Sequence, residues 1–100
     1  MIERITKNEE RLDNILSSIK ELEKALSNFK NNKKDISLLN KYYGNKNWFK
    51  DKDYYENNRI HKIKARVLSE DTVWNMNEDI KDLILEMESI IKEYKGNKYV

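Results

Sequence analysis

Apolar residues recur every three and four positions through the last third of the chain, and this pattern most limits what the chain can fold into. They lie at Val73, Met76, Ile80, Leu83, Met87, Ile90 and Tyr94. A repeat of this kind puts the residues on one face of an α-helix and is typical of helices that pair in coiled coils. Ile84 and Ile91 widen that face by one position. The sequence therefore predicts a long helix with a broad apolar stripe.

Start and stop signals bound this helix. Ser69 is a predicted N-cap, because its hydroxyl can accept a hydrogen bond from an amide of the first turn. Glu70 and Asp71 then put negative charge at the positive end of the helix dipole. Two neighbouring carboxylates can also serve as acid and base, but the dipole explains them, so no catalytic residue is predicted. At the other end Gly96, just after Lys95, predicts a left-handed C-terminal cap.

The first thirty residues carry a second stripe with the same period. It runs through Ile5, Asn8, Leu12, Ile15, Ile19, Leu22, Leu26 and Phe29, with Leu16 at the widening position. A helix over residues 2–30 would be about 43 Å long, and the helix after Ser69 would be about 39 Å long. Because the lengths and the stripes match, we predict an all-α fold in which these two helices form an antiparallel hairpin within a small helical bundle.

A short helix and an aromatic loop are predicted to join the two long helices. The polar residues 30–34 predict a break, followed by a helix with Asp35 as its cap and Gly44 as its left-handed end. Residues 45–68 are the least periodic part of the chain. Ile60, Ile63 and Val67 fit a helical face, while Ile63, Ala65 and Val67 also fit a strand. A structureless connection of this length is unusual in a compact domain, so a turn or two of helix is expected there.

Composition excludes several classes of protein. The chain has 100 residues, of which 38% are charged, with two glycines and no proline, which favours one domain (residues 1–100) of long helices. The absence of cysteine excludes disulfides, thiolate chemistry and cysteine-ligated zinc. No apolar run approaches the roughly 20 residues of a membrane span, and the first residues lack the apolar core of a signal peptide. We expect a cytoplasmic protein with no membrane contact.

Trp48 is the most informative residue of the aromatic loop. A large aromatic residue in a polar segment either folds back onto the core or anchors a partner, and burial within the domain is the more favourable outcome. Asp51 is then expected to accept a hydrogen bond from a loop amide or from the indole. Both residues are also candidates for an interaction surface.

A basic stretch follows the aromatic residues and is the best case for a nucleic-acid partner. It contains Arg59, Lys62, Lys64 and Arg66, and Tyr54 lies shortly before it. Basic side chains neutralise phosphates, and aromatic side chains stack on bases. Nearby carboxylates reduce the local field, and the net charge of the chain is only +2. Nucleic-acid binding is therefore the alternative and not the main prediction.

The ionisable residues show no arrangement that predicts chemistry. His61 is the only histidine, so the paired Glu-x-x-His motifs of a diiron bundle are excluded. No glycine-rich phosphate loop and no Ser-His-Asp set with useful spacing is present. We predict no metal and no cofactor, and an enzyme is only a third possibility.

Three motifs resemble a family of small helical bacterial proteins known as a domain of unknown function. They are Tyr42-Tyr43, Trp48 with Asp51 three residues later, and the run Val67-Leu68-Ser69-Glu70-Asp71. The resemblance covers nearly the whole chain. It implies an all-helical architecture and no particular activity.

The prediction for function is a non-catalytic protein-interaction or scaffold module whose protein partner is unidentified. Both long helices have stripes wider than a two-helix contact needs. Pairing two hairpins into a four-helix bundle would bury the remainder, so a homodimer is predicted. The alternative is a monomeric bundle in which residues 35–67 cover the exposed side.

Overall fold

A computed structural model describes residues 1–58 and 62–96, and all regular structure in these residues is helical. The four α-helices are α1 (Ile2–Asn31), α2 (Lys33–Tyr42), α3 (Lys46–Asn58) and α4 (Thr72–Gly96). A single 3₁₀ turn, Arg66–Leu68, precedes α4. The predicted all-α class is confirmed. None of the described helices combines the length and the apolar composition that crossing a membrane requires.

The chain divides into two compact units, the first from Met1 to Leu38 and the second beginning at Leu39. The first unit holds α1 and the start of α2. The second holds the end of α2 together with α3, the 3₁₀ turn and α4. The hairpin pairing of α1 with α4, and with it the single-domain organisation, stays a prediction.

The junction between α1 and α2 is shorter than predicted. Asn32 is its only non-helical residue, and its backbone is right-handed (φ −88°, ψ 0°). The Asn32 amide donates to the Phe29 carbonyl at 3.0 Å, and the Ile36 amide donates to the Asn32 carbonyl at 2.9 Å. Asp35 is not a cap, because α2 already begins at Lys33. The Asn32 carbonyl accepts from an amide in the first turn of α2, so part of the capping of α2 comes from the backbone.

A long helix replaces the expected turn or two in the aromatic segment. α3 has 13 residues, and the side chain of Asn45 accepts a hydrogen bond from the Trp48 amide at 2.9 Å, which caps its first turn. The inner face of α3 consists of Trp48, Lys52 and Tyr55 at helical spacing. A lysine in the middle of that face hides the apolar period. Before α3, Gly44 has φ +75°, so the predicted left-handed end of α2 is confirmed.

α4 differs from its prediction at both ends. It begins at Thr72 and not directly after Ser69, so Glu70 and Asp71 lie in the turn before it. The Ser69 hydroxyl oxygen accepts hydrogen bonds from the amides of Asp71 at 3.2 Å and Thr72 at 3.4 Å. Gly96 is the last residue of α4 and does not have a positive φ, so it is not a left-handed cap. Glycine does not itself force that conformation, because it also adopts right-handed angles.

The two fully buried apolar side chains of the described residues both lie in the second unit. They are Trp48, 4% exposed, and Val73, 2% exposed. By contrast, α1 contains no buried residue. The core is therefore a small centre in which α3 and the start of α4 both pack on the 3₁₀ turn.

Candidate functional site

Trp48 is the centre of a cluster that joins three parts of the second unit. Its indole N–H donates to the Val67 carbonyl of the 3₁₀ turn at 2.7 Å. Its ring makes edge-to-face contacts with Tyr43, at a centroid distance of 5.4 Å, and with Phe49, at 4.9 Å. Such contacts add about 0.5–1.5 kcal/mol beyond burial. The ring is thus packed inside the protein and its polar atom is satisfied there. We call Trp48 and the side chains on it the tryptophan cluster.

Lys52 extends the tryptophan cluster to the surface. Its ammonium nitrogen lies 5.1 Å from the centroid of the Trp48 ring, within cation–π range. The same nitrogen lies 3.3 Å from a carboxylate oxygen of Glu70. Because the Glu70 side chain is 79% exposed, this ion pair contributes at most about 1 kcal/mol. Lys52 therefore links α3 to the turn before α4, mainly through its packing over the ring.

The two adjacent tyrosines hold different elements. The Tyr43 hydroxyl donates to the backbone carbonyl of Glu70, which ties the end of α2 to the turn before α4. The Tyr42 hydroxyl donates to a carboxylate oxygen of Asp51 at 2.7 Å, which ties α2 to α3. Partial burial, then the hydrogen bond to Asp51 and its negative charge, raise the pKa of Tyr42 to about 12. The phenol is therefore neutral and acts as a donor at neutral pH.

Asp51 accordingly has a different partner from either of the two predicted ones. It accepts from Tyr42 and not from the indole, whose N–H is taken by Val67. Asp51 lies on α3 three residues after Trp48, and its carboxylate bonds to α2 whereas the Trp48 indole bonds to the 3₁₀ turn. The three sequence motifs thus contact one another and form one cluster.

Two residues that sequence analysis missed also connect elements of this unit. The side-chain amides of Asn40 in α2 and Asn77 in α4 exchange two hydrogen bonds, at 3.1 Å and 2.8 Å. Asn77 lies one heptad before Ile84, at the position that widens the apolar stripe. A polar residue at that position was the one sequence signal that could have indicated a contact there. Nothing in the sequence identified Asn40 as its partner, because the contact spans 37 positions.

Two open clefts flank the tryptophan cluster. One has a volume of about 270 Å³ and is lined by Tyr42, Asp51, Tyr54, Tyr55, Ile63, Lys64, Ala65, Val67 and Leu68. The other has a volume of about 300 Å³ and is lined by Lys52, Tyr55, Glu56, Ala65, Leu68 and Ser69. Their walls mix apolar side chains with phenols and single charges. Within the described ranges, no group of three or more His, Cys, Asp or Glu residues could hold a metal ion.

The predicted basic stretch is only partly described. Lys62, Lys64 and Arg66 are exposed, and so is Tyr54. Lys64 and Tyr54 line the same cleft. Arg59 and His61 lie outside the described residues.

The two halves of α4 have different surroundings. In its inner half, residues 72–82, Val73 is buried and Met76 and Ile80 are half-buried. In its outer half, residues 83–94, Met87 is half-buried, and the other large apolar side chains are about half exposed. They are Leu83 at 52%, Ile84 at 43%, Leu85 at 55%, Ile90 at 49%, Ile91 at 51% and Tyr94 at 58%. The stripe therefore continues beyond the core that its first half helps to build.

Comparison with known proteins gives a family without an assigned activity. No curated protein and no solved structure matches the chain significantly. A family model does match, over residues 5–96. This match confirms the resemblance inferred from the sequence motifs, and the chain belongs to the family described as a domain of unknown function (DUF4298).

Proposed function

We propose that this protein is a non-catalytic interaction module that binds other helices through the apolar stripe of α1 and the outer half of α4. One observation carries the proposal. The first unit consists of one long amphipathic helix and the start of the next, so it contains nothing that can bury the stripe of α1. An apolar stripe of this length is stable only when another surface covers it.

The energy available from covering the stripe is large. Full burial of a Leu, Ile or Phe side chain stabilises by about 1.5–3 kcal/mol. The α1 stripe has eight large apolar side chains, each 40–58% exposed: Ile5, Leu12, Ile15, Leu16, Ile19, Leu22, Leu26 and Phe29. Burying the exposed part of all eight would contribute on the order of 10 kcal/mol before the entropic cost of association. That is enough to drive specific helix pairing.

The tryptophan cluster supports the same proposal. Its indole bonds to the 3₁₀ turn, and its Tyr43 hydroxyl and Lys52 ammonium bond to Glu70 in the turn before α4; beside it, the Tyr42 hydroxyl bonds to α3. These contacts hold α2, α3 and the start of α4 at fixed positions. The cluster thus works as a rigid base from which the outer half of α4 extends.

A photo-crosslinking amino acid at Leu12, in cells that naturally make the protein, tests the proposal. We expect covalent adducts with another polypeptide from Leu12, and also from Ile15 or Leu22 on the same face. Ser17 lies on the opposite face of α1 and is the matched control. The proposal is wrong if the three stripe positions give no adduct, or if Ser17 gives the same adducts equally well.

Nucleic-acid binding is the second candidate, because Tyr54 and Lys64 line one cleft beside exposed Lys62 and Arg66. If these residues contact phosphates, affinity should fall steeply with salt. Replacing Lys62, Lys64 and Arg66 with Gln should weaken binding without unfolding. The control is Gln at Lys20, Lys24 and Lys30, which removes as much charge from α1. No binding to mixed DNA or RNA at low salt would exclude this candidate.

A further inference from the structure

We propose that the partner of these stripes is a second copy of the chain, and that the first half of α1 lies antiparallel against the outer half of α4 of that copy. This inference rests on the proposed function and names the partner.

The length of chain beyond one contact limits what α4 can cover within its own chain. Asn40 pairs with Asn77, and Tyr43 bonds to Glu70, so α2 and the start of α4 run in opposite directions there. From Asn77 to its end at Gly96, α4 extends about 29 Å. Between Ile2 and Asn40 the chain contains about 57 Å of helix, counted residue by residue along the sequence.

The first half of α1 therefore needs another partner. Asn32 is the one non-helical residue between α1 and α2, and both its amide and its carbonyl bond to helix residues. Even if α1 followed α4 for the whole of its remaining length, α4 would end near residue 21. The stripe residues before that point would stay in water.

The outer half of α4 presents the complementary surface. Its stripe residues Leu83 and Ile90 are 52% and 49% exposed, and Ile84 and Ile91 widen the same face. In α1, Ile5 is 58% exposed and Leu12 is 47% exposed. Ile5 and Leu12 are seven residues apart, and so are Leu83 and Ile90. In an antiparallel pair, Ile5 can therefore face Ile90 while Leu12 faces Leu83.

The charges beside the stripes select this pairing. One flank of each stripe consists of the residues directly before every second stripe position, and in α1, before Ile5 and Leu12, these are the basic residues Arg4 and Arg11. In α4 the residues on the corresponding flank, before Ile80, Met87 and Tyr94, are acidic, and they are Asp79, Glu86 and Glu93. An antiparallel pair brings these two flanks together, because flanks of the same type then face each other. Antiparallel pairing of α1 with α1 would instead bring two basic flanks together, and that of α4 with α4 two acidic flanks.

The register that aligns the apolar residues also aligns the charges. When Ile5 faces Ile90, Arg4 is opposite Glu93, and one heptad along Arg11 is opposite Glu86. A shift of one heptad toward the end of α4 leaves only one ion pair, between Arg11 and Glu93. A shift of one heptad toward the start of α4 keeps two ion pairs but shortens the apolar contact. By two-fold symmetry the same contact forms twice, giving a closed dimer with four ion pairs. The widened positions, such as Leu16 and Ile84, are then available for neighbouring helices in a four-helix arrangement.

Charge reversal in two separate variants tests this inference with the full chain. One variant carries Arg4→Glu and Arg11→Glu, and the other carries Glu86→Arg and Glu93→Arg. Light scattering after size-exclusion chromatography should give twice the chain mass of 12.1 kDa for the natural protein at tens of micromolar. The dimer dissociation constant of each variant alone should rise about 100-fold, because four ion pairs per dimer become repulsive. An equimolar mixture of the two should regain the dimer mass, since both contacts are then complementary.

Controls carry the same number of reversals on the polar faces. They are Lys20→Glu with Lys24→Glu on α1, and Asp82→Arg with Glu88→Arg on α4, and both should stay dimeric. Circular dichroism at 222 nm identifies any variant that fails to fold, and the single reversals Arg11→Glu and Glu86→Arg then replace it in the mixing test.

Three results would overturn the inference. A natural protein that is monomeric throughout has no second copy. An α4 variant that stays dimeric would show that α1 pairs with α1. The third result combines two measurements: the mixture of the two variants stays monomeric, but a single variant that carries all four reversals regains association or stability. Together these would show that α1 pairs with α4 of its own chain. If photo-crosslinking at Leu12 captures a different protein, the interaction function stands and the second copy is wrong.

Discussion

The inner and outer halves of α4 belong to one helix with one heptad repeat, yet they have different structural roles. The inner half packs on the 3₁₀ turn that the Trp48 indole also contacts, and there Val73 is 2% exposed. The outer half keeps the same apolar spacing, but Ile84 is 43% exposed and Ile91 is 51% exposed. Periodicity therefore predicts that a face is apolar, and a second observation is needed to learn what covers it.

What distinguishes the inner half is a set of specific polar contacts. Ser69 bonds to the first amides, Tyr43 bonds to the Glu70 carbonyl, and Asn77 pairs with Asn40. The outer half has apolar side chains beside a row of carboxylates. One half is thus built for a fixed position in the fold, and the other has the composition of a helix-pairing surface.

The largest expected effect is at the centre of the inner region. Trp48→Ala should reduce the free energy of unfolding by about 3–5 kcal/mol, because it leaves a cavity and removes the donor to the Val67 carbonyl. The matched change is Phe49→Ala, at the next position and 56% exposed, which should cost about 1 kcal/mol. Denaturant unfolding followed by circular dichroism measures both. Equal losses would show that the cluster is not centred on Trp48.

A change in the outer half should act on assembly and leave the core intact. Ile84→Glu places a charge on the proposed pairing face, so the light-scattering mass should fall to that of one chain. Near-ultraviolet circular dichroism of the tryptophans should persist, because Ile84 lies beyond the cluster. Lys81→Glu, on the polar face, is the control and should change neither. Loss of the aromatic signal in Ile84→Glu would mean that the two halves are not separate.

A smaller effect is expected at the start of α4. Ser69→Ala should reduce the free energy of unfolding by about 1 kcal/mol, since the amides of Asp71 and Thr72 lose their acceptor. Ser69→Asp should recover most of the loss, because a carboxylate also caps and favours the helix dipole. A denaturant midpoint for Ser69→Ala equal to that of the natural protein would mean that Ser69 does not cap α4.

The smallest expected effect is confined to high pH. The folded protein raises the pKa of Tyr42 to about 12 from an ordinary value of 10. The resulting stabilisation is complete below pH 10 and is lost as the pH rises toward 12. Subtracting the pH profile of Tyr42→Phe isolates this contribution from the other tyrosines and the lysines. In a tyrosinate absorbance titration, Tyr42→Phe should remove the part of the absorbance change that occurs at the highest pH. A Tyr42 that titrates near pH 10 would contradict the bond to Asp51.

The sequence predicted the parts of the fold that local patterns encode. The bounds of α1 were right to within one residue, and Gly44 has the left-handed backbone that its position predicted. These outcomes follow from helical periodicity and from the conformational freedom of glycine. The length of α3 was not predicted, because Lys52 occupies its inner face and packs over an aromatic ring, which hydropathy does not register.

The contacts of the cluster were beyond what one sequence shows. Tyr42, Trp48 and Asp51 were identified, but the choice of Asp51 as the acceptor for Tyr42 depends on how α2 and α3 meet. The Val67 carbonyl is available to the indole only because residues 66–68 form a 3₁₀ turn. Such pairings depend on three-dimensional positions that propensity and spacing leave open.

Disulfide trapping tests the antiparallel pairing of α1 with α4 of a second copy most directly, because the natural chain has no cysteine. In the proposed register Asn8 faces Met87 of the other copy. Mixing an Asn8→Cys variant with a Met87→Cys variant under mild oxidation should give a cross-linked heterodimer. Tyr94→Cys, one heptad or about 10 Å further along α4, is beyond the roughly 7 Å that a disulfide spans and should link far more slowly. Rapid linking of Asn8→Cys to itself, or to Tyr94→Cys and not to Met87→Cys, would contradict the account.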